Sequence, residues 1–276
     1  MIKKLIAISI LSAMIIISVH SAFARDEAHD GVERTRQLGV GKLVLSITET
    51  SDKGDYFLRF SKGKEEVFAC ECAFKTHEPK TASNTPLPDC RTLLAYCFSG
   101  GAHCCTTLFL ATACGPRVSL DMADLGHTDG KVTFMEAGGA LGKVIKVNDW
   151  QFAYYGPEDS QIELSFADSP AMTRLLVFDN GHWRVDRVGE FPRFYSPLLR
   201  EAIHKARNSR RRNEPGLTAS LAMKAAYYDL MNGKPVEDAR EILNQLFPAK
   251  WKLQAGKIIQ DVCRAVSEFN PVETIR

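Results

Sequence analysis

The sequence predicts an α+β protein in which a mostly antiparallel β-domain, a meander or propeller-like arrangement, precedes a small helical domain. Over the first two-thirds, short alternating runs are separated by Gly, Asp and Lys turns, which is typical of successive β-hairpins. After Phe191-Pro192 the apolar residues recur at helical spacing. The predicted divisions are a signal peptide at 1–24, a flexible N-terminal segment at 25–37, a disulfide-rich β-domain at 38–195 and a helical C-terminal domain at 196–276.

The strands of the β-domain are predicted from alternation and from turn residues. Residues 77–90 contain three prolines and no periodicity, which predicts a loop. The clearest hairpin turns at Asn180-Gly181, because this pair readily adopts the positive φ angles of a tight turn. That hairpin joins strands at 174–178 and 182–188, and further strands are predicted at 43–48, 56–60, 65–72, 92–98, 105–113, 117–122, 132–135, 143–147 and 162–166.

Four helices are predicted in the C-terminal domain. Ser196-Pro197 begins the first, and residues 205–216 are predicted to be a basic polar link. The second helix runs from about residue 218 to Asn232-Gly233, and the third ends before Pro248. This pair resembles a single tetratricopeptide-type hairpin. The last helix, at about 254–269, contains Cys263.

The first 24 residues have the pattern of a cleaved signal peptide. Two lysines precede an apolar run at residues 5–19, and Ala22-Phe23-Ala24 supplies the small residues of a cleavage site. We expect the mature chain to begin at Arg25. Because the first cysteine is Cys70, no lipid anchor is predicted. The predicted location is therefore periplasmic or secreted, and the mature chain is not expected to span a membrane.

The composition is that of an ordinary globular protein, with 45% hydrophobic and 25% charged residues. A net charge of +2 is too small for an obligate nucleic-acid binder. The charge is unevenly distributed, since residues 25–195 carry 19 basic and 24 acidic side chains and residues 196–276 carry 14 and 9. The resulting net charges of −5 and +5 favour docking between the two parts, with a basic surface for a partner as the alternative.

The cysteines are the most unusual feature of the composition. In an exported chain an even number of cysteines indicates structural disulfides, although the sequence cannot determine the pairing. If all eight are oxidised, Cys263 must bond to a cysteine of the 70–114 cluster. The alternatives are a soft-metal site, with His77 and His103 as further ligands, and redox exchange. The predicted disulfide residues are Cys70, Cys72, Cys90, Cys97, Cys104, Cys105, Cys114 and Cys263.

A catalytic Cys-His pair is not predicted at His103-Cys104, because neighbouring residues in a strand point to opposite faces. Cys104 and Cys105 bond either to different partners or, across a sharp turn after Gly100-Gly101, to each other. No serine-hydrolase elbow, phosphate loop, zinc-protease or dinucleotide motif occurs. No catalytic residue, metal ligand or cofactor is therefore assigned.

One short motif resembles that of a group of exported bacterial proteins in which a β-domain carries Gly-Gly-Ala-His-Cys-Cys after a strand. The likeness covers about residues 92–192 and includes Asp179–Trp183. Members often carry acidic calcium loops, but Met135–Gly142 holds one acid here, so no calcium site is predicted. The resemblance implies compartment and fold. The motif residues are Ser99, Gly100, Gly101, Ala102, His103, Cys104 and Cys105.

These observations predict an exported cell-envelope protein whose function is non-catalytic binding or interaction with an envelope partner or ligand. The first alternative is a metal- or thiol-handling protein that uses the Cys70–Cys114 cluster. The second is a hydrolase whose active site is not visible in the sequence. Convergent titratable groups in a pocket would favour the hydrolase, and a bound metal would favour the first alternative.

Overall fold

The computed structural model describes residues 33–50, 56–73, 77–100, 106–126, 132–137, 141–156 and 162–275. The strands form three antiparallel sheets, and the helices lie at the C-terminal end. The predicted α+β class is confirmed. The predicted signal peptide and residues 101–105 of the cysteine motif lie outside the described residues.

The first sheet is a meander of four strands in chain order: β1 (Glu33–Val40), β2 (Leu43–Thr50), β3 (Tyr56–Lys62) and β4 (Glu65–Cys72). Residues 33–37 were predicted to be flexible but instead form part of β1, because they pair with β2 along its whole length. Alternate residues are buried on one face, as the period-2 pattern requires. These are Leu45, Ile47, Tyr56, Leu58 and Phe60.

The central sheet contains β5 (Lys80–Ser83), β6 (Cys90–Phe98), β7 (Thr106–Cys114) and β8 (Arg117–Asp124). Strand β5 lies inside the segment predicted as a loop, where it pairs with β6 through four residues. Residues of β6 and β7 are buried almost without interruption. Such continuous burial is expected of a sheet that is covered on both faces.

The third sheet contains β9 (Thr133–Glu136), β10 (Lys143–Asp149), β11 (Met172–Asp179) and β12 (His182–Val185). The predicted β11–β12 hairpin is confirmed, with φ of 53° at Asn180 and 91° at Gly181. The strand predicted at 162–166 is wrong. This segment has no ladder partner and leads into a 3-10 turn at Phe166–Asp168, while Ile162 and Leu164 anchor it in the helical core.

The three sheets are stacked, with the central sheet in the middle. One face of the central sheet packs on the first sheet through a cluster that includes Phe60, Leu93 and Phe109. The opposite face packs on the third sheet, where Leu110 and Trp183 belong to one cluster. The central sheet is therefore buried on both sides, which explains the apolar sequences of β6 and β7.

The helical part contains α1 (Pro192–Arg211), α2 (Pro215–Met231), α3 (Val236–Leu246) and α4 (Ala255–Glu268). The helix pair joined at Gly233 is confirmed, with a φ of 80° at this glycine. The basic link predicted at 205–216 is wrong in extent, because α1 begins at Pro192 and continues to Arg211. Proline suits the first helical position, since the missing N–H has no partner there in any case.

The chain returns to the central sheet after α4. Strand β13 (Val272–Ile275) pairs with β8, so the order in that sheet is β13-β8-β7-β6-β5. This strand was not predicted from the sequence. None of the helices in the described ranges combines the length and the apolar character needed to cross a membrane.

Candidate functional site

Four cysteines of the 70–114 cluster form two disulfides. The Cys72–Cys97 bond links β4 of the first sheet to β6 of the central sheet. The Cys90–Cys114 bond joins residues that lie opposite each other on β6 and β7. Cys104 and Cys105 lie outside the described residues, together with Gly101, Ala102 and His103.

The predicted disulfide of Cys263 is not formed, and Cys263 is a free thiol. Its side chain packs partly buried against the helical core. Burial raises the pKa of this thiol, and its charged neighbours are Arg240 and Glu237 of α3. Cys263 therefore belongs to the α3–α4 contact, whereas the described cysteines of the cluster are on strands. Cys70 is also a free thiol, and burial raises its pKa to about 11.

A pocket of about 630 Å³ opens between β8 and the β11–β12 hairpin. Its apolar wall includes Leu87, Leu141 and Phe178. Its polar wall is supplied by β8 and by the hairpin turn, because both elements face the same space. The polar and charged side chains that line it are Thr112, Arg117, Ser119, Asp179, Asn180 and His182.

The imidazole of His182 is held at this pocket by the carboxylate of Asp121, which is completely buried. His182 Nδ1 lies 2.9 Å from Asp121 Oδ1 and donates this bond in the tautomer that carries its proton on Nδ1. Asp121 also accepts from the Trp183 backbone N–H at 3.0 Å and from the Thr274 hydroxyl at 2.9 Å. Asp121 thus takes part in three hydrogen bonds. The His182 ring is 48% exposed, and Nε2 is an acceptor when Nδ1 carries the proton of the neutral ring.

Ser119 is the second unusual group of the pocket. It is 7% exposed, and its hydroxyl has no hydrogen-bond partner within the part of the chain that the structure describes. The neighbouring hydroxyl of Thr112 is already engaged, because it accepts from Trp183 Nε1 at 2.9 Å and bonds to the Thr92 hydroxyl at 3.1 Å. A buried hydroxyl without a partner costs about 1–3 kcal/mol. A ligand that bonds to Ser119 would remove this cost.

The pocket contains the three residue types of a serine-hydrolase triad. Asp121 and His182 are in contact, but Ser119 does not hydrogen-bond to His182. Asp121 orients His182 as the carboxylate of a catalytic triad does. Ser119, however, makes no hydrogen bond to His182. The geometry therefore provides a fixed acceptor and an unused hydroxyl above an apolar wall, which is an arrangement for binding a small molecule.

A second polar cluster is sealed inside the protein and connects the third sheet to the helices. Arg174 contacts Asp186 and the hydroxyl of Tyr227, and Tyr227 donates to Asp149 over 2.9 Å. Tyr195 donates to Asp186. Burial raises the pKa of Asp149 to about 6, against the opposing effects of its hydrogen bonds and of Arg174. Because all five side chains are buried, this cluster holds the two parts of the chain together and offers no access to a ligand.

The sequence analysis did not identify the residues of the pocket. Ser119 and Asp121 lie two residues apart and so share one face of β8, and a pair of polar residues at that spacing in a buried strand was a usable signal. His182 lies in the Asp179–Trp183 segment of the resemblance. The motif residues Ser99 and Gly100 follow β6 and do not line the pocket.

No protein-family model, no curated protein and no solved structure matches this chain.

Proposed function

We propose that the protein is an exported, non-catalytic binding protein of the cell envelope and that its ligand site is the pocket at His182. The observation that carries the proposal is the pairing of His182 with buried Asp121 beside the unpartnered hydroxyl of Ser119. A buried carboxylate with three donors fixes the position of one acceptor nitrogen, and this positioning favours recognition of a particular polar group.

The lining of the pocket indicates the chemistry of its ligand. Nε2 of His182 accepts a hydrogen bond, while Leu87, Leu141 and Phe178 offer an apolar surface. A volume of about 630 Å³ suits a small molecule rather than a macromolecule. The proposed ligand is therefore a small amphipathic molecule that carries a hydrogen-bond donor.

A direct test uses ligand-observed NMR with four probes of one shape: benzylamine, benzamide, benzyl alcohol and toluene. We expect signals from the three donor-bearing probes and a weaker signal from toluene. His182→Ala and Ser119→Ala should each reduce binding of the donor-bearing probes. His204→Ala and Ser267→Ala are matched controls on the helices and should leave binding unchanged.

Ser119→Ala keeps this test independent of folding, because it removes an unpartnered buried hydroxyl and should not lower stability. Binding that is equal in wild type and His182→Ala, or absent in both, would overturn the assignment. Turnover of p-nitrophenyl acetate that is lost in Ser119→Ala would instead assign a hydrolase.

Export is supported by the signal-peptide pattern of residues 1–24 and by the two disulfides, which persist in oxidising compartments. The resemblance to exported bacterial proteins agrees with this location. The intact mass of the exported protein tests the proposal. We expect a chain that begins at Arg25 and carries no lipid, and a mass that retains residues 1–24 would contradict it.

A further inference from the structure

Three sulfur atoms converge where the first sheet meets the central sheet. Cys70 and Cys72 are two residues apart on β4 and share its inner face, and Cys97 reaches them from β6. All three Sγ atoms lie within 4.8 Å of one another. Cys72 and Cys97 are 1% and 7% exposed, whereas Cys70 is partly buried, so two of the three sulfur ligands are shielded from water.

We propose that, when the Cys72–Cys97 bond is reduced, Cys70, Cys72 and Cys97 bind one copper(I) ion in a trigonal thiolate site. This inference goes beyond the pocket and does not depend on it. The disulfide form excludes the ion, so the site is controlled by redox state.

The spacing of the sulfur atoms fits this coordination. A metal–sulfur distance of about 2.3 Å places the sulfur atoms of a planar trigonal site about 4 Å apart. Cys70 Sγ and Cys72 Sγ are already 4.0 Å apart. After reduction, the sulfur atoms of Cys72 and Cys97 have to move apart to this spacing. Because the Cα atoms are 5.2 Å apart, rotation of the two side chains is sufficient.

The donor set selects a soft monovalent ion. Among the residues that the structure describes, the group consists of three cysteines, without the fourth ligand of a structural zinc site. Thiolate ligands are those that select copper(I). Within the described ranges three sulfurs meet without a fourth ligand, and this donor set favours copper(I) over zinc.

The hydroxyl of Tyr56 provides a second, independent observation. Tyr56 lies opposite Cys72 in the pairing of β3 and β4, is 1% exposed, and has no hydrogen-bond partner in the described ranges. A thiolate sulfur would give this buried hydroxyl an acceptor, and such outer contacts orient metal ligands.

The chemistry of loading balances with a dithiol as reductant. The dithiol supplies two electrons and two protons and becomes a disulfide, while the Cys72–Cys97 bond becomes two thiols. The three thiols then bind copper(I), and each new copper–sulfur bond releases one proton. The copper ion keeps its oxidation state.

The test uses the full chain with Cys104 and Cys105 both changed to serine, reduced without oxygen by a dithiol that is then removed. Copper(I) is titrated in competition with bathocuproine disulfonate, and X-ray absorption counts the sulfur ligands. We expect one copper per chain with three sulfurs at about 2.3 Å. The melting temperature of the reduced protein should rise with copper.

Matched variants locate the site. Cys70→Ser should weaken copper binding at least 100-fold, and Tyr56→Phe about 10-fold. Cys90→Ser and Cys263→Ser should leave the affinity and the sulfur count unchanged. The proposal is overturned by wild-type affinity in Cys70→Ser, by two-sulfur coordination, by tighter four-coordinate zinc binding, or by loss of the near-ultraviolet dichroism of the folded core on reduction.

Discussion

Arg174 and Asp186 form a buried ion pair in the third sheet, with Arg174 Nε 2.8 Å from Asp186 Oδ1. Arg174 also donates to the Asp186 carbonyl at 2.7 Å and to the Tyr227 hydroxyl at 2.9 Å. The pair thereby links the β11–β12 hairpin to α2. Opposite net charges suggested docking between the two parts of the chain, and the observed contacts include phenol hydrogen bonds, apolar packing and the pairing of β13 with β8.

We expect Arg174→Met to lower the free energy of unfolding by about 3–5 kcal/mol, because it leaves Asp186 buried without a counter-charge. Arg187→Met is the control, since the Arg187 side chain is 71% exposed, and it should change stability by less than about 0.5 kcal/mol. Urea unfolding measures both. If Arg174→Met changed the free energy of unfolding as little as Arg187→Met, the buried pair would not contribute to stability.

Asp149 should make stability depend on pH. Its pKa is raised from 3.8 to about 6, so the folded chain holds the proton more tightly than the unfolded chain. The stabilisation is complete below about pH 4 and is lost as the pH rises through about 6. Relative to Asp149→Asn, wild type should lose about 2 kcal/mol between pH 4 and pH 7. Chemical unfolding at several pH values measures this difference, and parallel pH profiles would contradict it.

The two disulfides should contribute similarly to global stability but differently to local opening. They close loops of 25 and 24 residues, so chain entropy assigns about 3–4 kcal/mol to each. The Cys72–Cys97 bond joins two sheets, whereas Cys90–Cys114 joins strands that are already paired along nine positions. The Cys72→Ala/Cys97→Ala variant should therefore exchange amide hydrogens faster in β4. The Cys90→Ala/Cys114→Ala variant should not, and identical exchange patterns would refute this distinction.

Cys263 should react with iodoacetamide in the absence of reductant, because it is a free thiol on α4. Reaction should be faster in urea than in the native protein, since burial raises the pKa of this thiol in the fold. Cys72, Cys90, Cys97 and Cys114 should react only after reduction. Peptide mapping by mass spectrometry distinguishes these groups, and a disulfide-linked Cys263 peptide would restore the bridge expected from the sequence.

The features predicted correctly from the sequence are those with local causes. Asn180-Gly181 specifies its hairpin through the φ angles of two residues, and Gly233 ends a helix in the same way. The missed features depend on distant pairing. Strand β13 has four residues and forms only because β8 offers a free edge about 150 residues earlier. No local pattern distinguishes such a segment from a loop.

The candidate site was missed for the same reason. Asp121 and His182 are on different sheets, and Thr274 comes from a third element, so the sequence does not show that these three residues meet. The partly buried position of Cys263 on α4 likewise follows from helix packing, whereas the even number of cysteines predicted a disulfide. The periodicity of apolar and polar residues specifies which face of a strand or helix is buried. It does not specify which other element packs against that face.

The pairing of β13 with β8 sets an order of assembly. A chain made from its N-terminus can close the first sheet once residue 72 has been synthesised, long before residues 272–275 exist. Until those residues arrive, β8 is an open edge able to pair with other chains, and Asp121 lacks the Thr274 hydroxyl. The pocket is consequently complete only after residues 272–275 have paired with β8.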